Sequence, residues 1–194
     1  MVKVFVMSKL NLKPENLAKL RQLLNQQGTY RFLGYLLDLE TGEIQDQLAA
    51  DGQVNETEVY VLGVLLNHYA EGKLIEPSGK QVKFKDLPGG TAYEQAFLQR
   101  AVQLVAETFD ADPSALPKAA TVIGGAALSH GDASAKVPAL GQIALVYIVW
   151  AGGEFSGAAS VLYDENAGAM LPTEDLAVLG ELTTSRLKRA LQKL

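Results

Sequence analysis

The sequence predicts an α+β fold: one domain of antiparallel hairpins packed with about four helices, the last of them long. Three observations carry that expectation. Strand-like stretches come in neighbouring pairs around Gly-containing turns, at 31–48 and 143–164. Helical apolar spacing occupies separate segments instead of alternating one-for-one with strands, which argues against a wound parallel sheet. A chain of 194 residues, 48% hydrophobic and 20% charged, is long enough to bury one core without covalent staples.

Residues 2–6, Val-Lys-Val-Phe-Val, alternate imperfectly, as a short strand would. Pro14 suits a first helical turn, where a missing donor costs nothing, and Leu17, Leu20, Leu23 and Leu24 then form a stripe ending near Gly28. Residues 1–28 therefore read as a peripheral helical segment attached to a core of 30–194. Thr41-Gly42 separates apolar stretches at 31–39 and 43–48, the first predicted hairpin.

Asn55 followed by Glu58 resembles a capping box, and it opens an apolar run whose residues fall on too many faces for a surface helix. A central, largely buried helix over 56–71 follows. Residues 81–84 alternate as a short strand, Pro88-Gly89-Gly90 turns the chain, and Tyr93, Phe97, Ala101, Leu104 and Val105 set out a helix to about Phe109. Asp112-Pro113 caps a short helix that Pro117 should bend or end.

Between 121 and 140 the composition shifts to Gly, Ala and Ser, which suits either a set of tight turns or the wall of a pocket. Strands at 143–150 and 158–164 flank Gly152-Gly153, and Thr173 opens the last helix. Leu176, Leu179, Leu182, Leu187, Ala190, Leu191 and Leu194 keep its spacing, with acids in its first turn and cations in its last, as the macrodipole prefers.

Composition excludes several functions. Cysteine is absent, which removes disulfides, thiolate zinc sites, cysteine-ligated clusters and cysteine nucleophiles together. A net charge of −5 argues against a nucleic-acid footprint, and Arg186, Lys188, Arg189 and Lys193 sit where they complement a helix C-terminus. Lys3 and Lys9 interrupt any secretory core, and the longest apolar run, 143–151, is far short of the roughly 20 residues that span a bilayer. The expected setting is soluble and cytoplasmic, with no membrane and no nucleic acid as partner.

The stretch Val149-Trp150-Ala151-Gly152-Gly153-Glu154-Phe155 contains the letters found in the loop of diguanylate cyclases, but the acid normally between the glycines and the glutamate is missing. A hairpin turn explains it better, with Gly152-Gly153 at the tip and Phe155 returning beside Trp150. His130-Gly131-Asp132 offers a base and an orienting or charge-stabilising carboxylate two residues apart, with Glu154 as a second acid. His68, the only other histidine, reads as satisfied at a helix end, so no metal site is expected. No nucleophile elbow, Walker loop or zinc-protease motif occurs.

Several segments together resemble one family. They are His68-Tyr69 in "LLNHYAEG"; Phe84, Leu87 to Gly90, Tyr93 and Phe97 in "VKFKDLPGGTAYEQAF"; Gly124, Gly125, Gly131 and Asp132; and Trp150, Glu154, Phe155, Leu162, Asp164, Leu171, Pro172, Glu174, Asp175 and Leu176. From about Phe32 onward the chain resembles the domain-of-unknown-function family numbered 3786, found chiefly in anaerobic bacteria and archaea. The resemblance implies an anaerobic redox or corrinoid-related setting and names no activity. Some members are joined to cysteine-rich iron–sulfur domains. This chain would need an iron–sulfur protein partner to receive electrons, and its acidic cluster before the final Glu-Phe is reduced to Gly153-Glu154.

Two functions follow as expectations. The first is an accessory domain that binds a small molecule or a partner, with Gly124, Gly125, Gly131, Trp150, Gly152 and Gly153 forming the surface. The second is a hydrolase or lyase using His130, Asp132 and Glu154. The cofactor is left open, and broad apolar helices also suit a homodimer.

Overall fold

A computed structural model describes residues 7–153 and 156–194, so the strand expected over 2–6 and the Glu154-Phe155 pair lie outside the described residues. Two antiparallel sheets organise the chain. The first has the order β1-β4-β3-β2, from Ser8–Lys9 (β1), Thr29–Phe32 (β2), Tyr35–Asp38 (β3) and Glu43–Asp46 (β4). The second has the order β5-β9-β8-β7-β6, from Gln81–Lys83 (β5), Ala126–Leu128 (β6), Ala133–Leu140 (β7), Ile143–Trp150 (β8) and Ala158–Asp164 (β9).

The stretch expected as one strand over 31–39 is instead a tight hairpin. Phe32 pairs with Tyr35, and the two turn residues Leu33 and Gly34 both have positive φ, at 49° and 76°. Such a turn matches the strand twist, although leucine rarely accepts it. Leu33 does so here because its side chain is fully buried and its carbonyl accepts a hydrogen bond from Arg186 Nε at 2.9 Å. At the next turn Asp38 Oδ1 accepts from the amides of Glu40 and Thr41, and Gly42 supplies a φ of 74°.

Helix α1 (Pro14–Leu23) has proline at its start, as expected, but ends earlier than Gly28, with Asn25 turning at a φ of 48°. Helix α2 (Glu56–Glu71) keeps its predicted bounds, and Asn55 Oδ1 accepts from the Glu58 amide at 2.9 Å. It is not buried all round. Leu62, Leu65, Leu66 and Tyr69 face the core, whereas Tyr60 is 73% exposed.

Helices α3 (Glu94–Phe97) and α4 (Leu104–Phe109) are joined by a π-helical segment, Leu98–Gln103. Helix α5 (Ala115–Val122) contains Pro117 without being ended by it. The ring falls in the first turn, where no amide donor is required, so the expected break does not occur.

Residues 121–140 are neither tight turns nor a pocket wall for most of their length. They supply β6 and β7, with Ala135, Val137 and Ala139 buried and Lys136 and Pro138 exposed in strand alternation. The β8–β9 connection, 151–157, is longer than a two-residue turn; Trp150 pairs with Ala158, and Gly153 has a φ of 59°.

Short helix α6 (Ala167–Met170) precedes α7 (Thr173–Leu191), the long C-terminal helix. Its buried Leu176, Leu179, Leu182 and Leu187 join one apolar cluster that includes Leu37 and Ile44 of the first sheet and Leu145 and Tyr147 of the second. No helix among the described residues is long and apolar enough to cross a membrane.

Candidate functional site

Of the described residues singled out by sequence, His130 to Asp132 and Trp150 to Gly153 lie at one end of the β7–β8 pair, whereas Gly124 and Gly125 lie at the start of β6. Asp132 Oδ2 accepts from the Ala151 amide at 2.8 Å, and the Asp132 amide donates to Val149 O. The His130 amide donates to Ser134 Oγ at 2.8 Å; among the described residues no hydrogen bond joins its ring to Asp132. Gly131, at a φ of 59°, passes so close to β8 that a β-carbon there would lie 2.7 Å from Val149 O. The Gly152 amide donates to Asp110 Oδ1 at 2.9 Å, and Gly125 is pressed against Ala120 and the Lys136 carbonyl. Gly124 and Gly153 face open space, and Trp150 is exposed. The Asp132, Gly131 and Gly152 contacts close the ends of β7 and β8, and the cavities described below draw no lining from these residues.

An open cavity lies elsewhere, among the helices. Its volume is about 720 Å³, and its lining includes Val61 of α2, Leu104 of α4, and Val178 and Leu182 of α7. Polar groups stand around that apolar floor: Gln99, Arg100 and Gln103 from the π-helical segment, Glu58 from α2, Glu107 from α4 and Glu181 from α7. Arg100 Nη1 lies 3.7 Å from Glu181 Oε1. Burial pushes the Glu181 carboxyl above its ordinary value even against the opposing pull of Arg100. Glu58 Oε2 is buried without a hydrogen-bond partner among the described residues, and Glu58 Oε1 sits 3.8 Å from Arg189 Nη1.

Behind Glu58 lies a buried ion cluster. Arg186 reaches Asp46 with both guanidinium arms, Nη1 to Oδ2 at 2.8 Å and Nη2 to Oδ1 at 2.5 Å, and its guanidinium carbon stands 4.0 Å from the centre of the Tyr35 ring. Arg189 Nη1 adds a 2.9 Å contact to Asp46 Oδ2. Burial alone would raise the Asp46 carboxyl; the bonded guanidinium reverses this and holds it below the ordinary range. Arg186 and Asp46 satisfy each other's charge, as in a structural ion pair.

A second constellation joins α2 to α7. His68 Nδ1 lies 2.6 Å from Asp175 Oδ2, and Asp175 is nearly buried, whereas the imidazole is 45% exposed. A cavity of about 360 Å³ beside it is lined by His68, Glu71, Gly72 and residues 168–172. Neighbouring contacts fix the walls: Tyr93 Oη donates to Glu174 Oε1, Thr173 Oγ1 donates to Pro88 O, and a β-carbon on Gly72 would overlap Met170 O. Hydrogen bonding to Glu174 first, and then burial, raise the Tyr93 phenol.

Sequence reading placed His68 at a helix end and Asp175 in a helix first turn, and missed that they meet. The available signal was that both fall in segments used for the family resemblance. No group of three or more His, Asp or Glu among the described residues is arranged to hold a metal.

Comparison with known families matches the model described as Domain of unknown function (DUF3786) over residues 24–186. Neither the curated proteins nor the solved structures contain a match. The match spans the second sheet, strands β2 to β4 of the first, the helical cavity, the His68–Asp175 pair and Arg186, and so the chain belongs to the DUF3786 domain family.

Proposed function

We propose that the protein is a small-ligand-binding domain whose ligand lies in the cavity between α2, the π-helical segment and α7. The observation that carries this reading is the π-helical segment Leu98–Gln103, which contributes Gln99, Arg100 and Gln103 to that cavity. A π turn inside an otherwise regular helix is a costly irregularity that recurs where function requires it. The volume falls within the range of ligand sites, and the apolar floor with a few converging polar groups has their usual chemistry. Three glutamates against one arginine favour a neutral or cationic molecule with an apolar body over a polyanion. The redox setting implied by the family resemblance would reach this chain through an iron–sulfur partner, since it carries no cysteine.

Val178 is exposed on the cavity side of α7, so V178W fills the space without disturbing the core. Titration with the neutral apolar dye Nile red, together with native mass spectrometry of protein isolated from its host, tests the reading. V178W is expected to weaken dye binding at least about tenfold, or about 1.4 kcal/mol, and to abolish any retained mass. V122W, on an exposed residue outside the cavity, is expected to change neither. Unaltered binding by V178W would place the ligand elsewhere.

A further inference from the structure

The His68–Asp175 pair lies outside that cavity and has the geometry of a proton-transfer site. In the neutral ring, Nδ1–H donates to the Asp175 carboxylate at 2.6 Å, which leaves the Nε2 lone pair on the opposite side of a half-exposed imidazole. Asp175 contributes what an orienting carboxylate must: it is almost buried, it sits in the first turn of a rigid nineteen-residue helix, and it selects the tautomer. His68 stands near the end of another long helix, so neither partner depends on a mobile loop.

The adjoining cavity limits what could be bound. Its lining is Gly72, Gly168, Ala169, Met170, Leu171 and Pro172, together with His68 and Glu71. The Glu71 charge is answered by Lys13 Nζ at 2.5 Å, and Asn16 Nδ2 donates to the same oxygen at 3.1 Å. Small and apolar walls with no surplus cation suit a short neutral acyl group and oppose phosphate or carboxylate substrates. Its two lining segments, the end of α2 with Gly72 and residues 168–172, are held in place by the His68–Asp175 bond and by the contacts of Thr173 and Gly168 with Pro88.

We propose that His68 is the general base of a second, hydrolytic site that acts on small neutral esters, with Asp175 as its positioning residue. His68 Nε2 takes a proton from water as the water oxygen bonds to the ester carbonyl carbon. The tetrahedral adduct then collapses, the acyl carbon–oxygen bond breaks, and the departing alkoxide recovers the proton from the imidazolium. Water and ester become acid and alcohol, and His68 returns to its starting state.

The test measures hydrolysis of p-nitrophenyl acetate by the tag-free full-length chain, against free imidazole at equal concentration. The chain has two histidines, so H130A supplies the internal control for an unassisted surface imidazole. The wild type is expected to exceed free imidazole, H130A to match the wild type, and H68A to lose at least about 100-fold in kcat/KM, the low end of general-base catalysis. H68Q keeps an amide in reach of Asp175 and guards against misfolding as the cause; it is expected to be as inactive as H68A while unfolding at the wild-type temperature.

D175N is expected to lower kcat with KM unchanged, a split that a purely structural tie between helices would not produce. Asp175 and Glu71 are the charged groups beside the ring, and K13M, which removes the partner of Glu71, is expected to leave kcat unchanged. A wild-type rate no greater than imidazole, or activity retained by H68A or H68Q, overturns the proposal. Dye binding at the helical cavity is unaffected by either result.

Discussion

The hydroxyl of Tyr69 occupies the space that a β-carbon on Gly141 would require. Tyr69 reaches there from α2 to accept the Gln142 amide at 3.1 Å, while Tyr30 from the first sheet accepts the Gly141 amide at 2.9 Å. Burial pushes the Tyr30 phenol up to about 12 despite the bond from Gly141. Two elements thus grip the β7–β8 turn. G141A meets both the left-handed backbone, at a φ of 55°, and the overlap, and is expected to cost about 3 kcal/mol. Y69F is not expected to rescue it, because ring carbon Cε1 would still lie 2.8 Å from the new atom. Urea unfolding of the single and double variants checks this.

Gly180 lies inside α7, where alanine normally adds about 1 kcal/mol of helix stability. Here the new carbon would overlap Tyr163 Oη and approach Phe97 Cε2 to 2.5 Å. Tyr163 has little freedom to move, since its hydroxyl donates to Leu176 O at 2.7 Å. G180A is therefore expected to destabilise by about 1–3 kcal/mol, opposite in sign to helix propensity. Thermal unfolding decides the sign directly.

Arg186 and Asp46 are both fully buried, so removing Asp46 strands the Arg186 charge, while removing Arg186 leaves Asp46 with the partly exposed Arg189 alone. R186M is expected to cost about 3–5 kcal/mol by denaturant unfolding, while R186M/D46L recovers much of the loss because no fully buried ion remains and Arg189 is partly exposed. A double variant as unstable as the sum of the two single variants would contradict this account.

Asp164 is nearly buried and accepts from the amides of Ser78, Gly79 and Asn166. Burial raises its carboxyl, but these donors outweigh burial and hold it below the ordinary value of 3.8. A depressed folded-state value means that the ion stabilises the fold above the unfolded-state pKa and that this support is lost as pH falls through the folded one. The stability gap between wild type and D164N is therefore expected to be constant above about pH 5 and to shrink below about pH 4. Guanidinium unfolding across pH 3–7 measures the gap.

Local rules made part of this fold legible. The bounds of α2 follow from Asn55 and a continuous apolar run, and the last helix follows from its leucine spacing. The Leu33–Gly34 turn did not follow, because the contact that holds Leu33 in its rare conformation comes from Arg186, 153 residues away. β7 was hidden for a different reason. Its alternation of buried Ala135, Val137 and Ala139 is present in sequence, but alanines carry too weak a hydrophobic signal to outweigh the surrounding glycines. The helical cavity draws small groups of residues from segments far apart in the chain, and His68 and Asp175 are 107 residues apart, so neither site has a local signature.

The Arg186–Asp46 contact spans 140 positions of the chain. At ordinary ribosomal speeds, on the order of ten seconds separate the synthesis of the two residues. During that interval the first sheet can form its ladder, but its inward carboxylate has no guanidinium to meet. The unfinished domain therefore waits with a charged, uncapped face until its last helix arrives, and a chain stalled short of residue 186 would present that face to the cell's quality-control machinery.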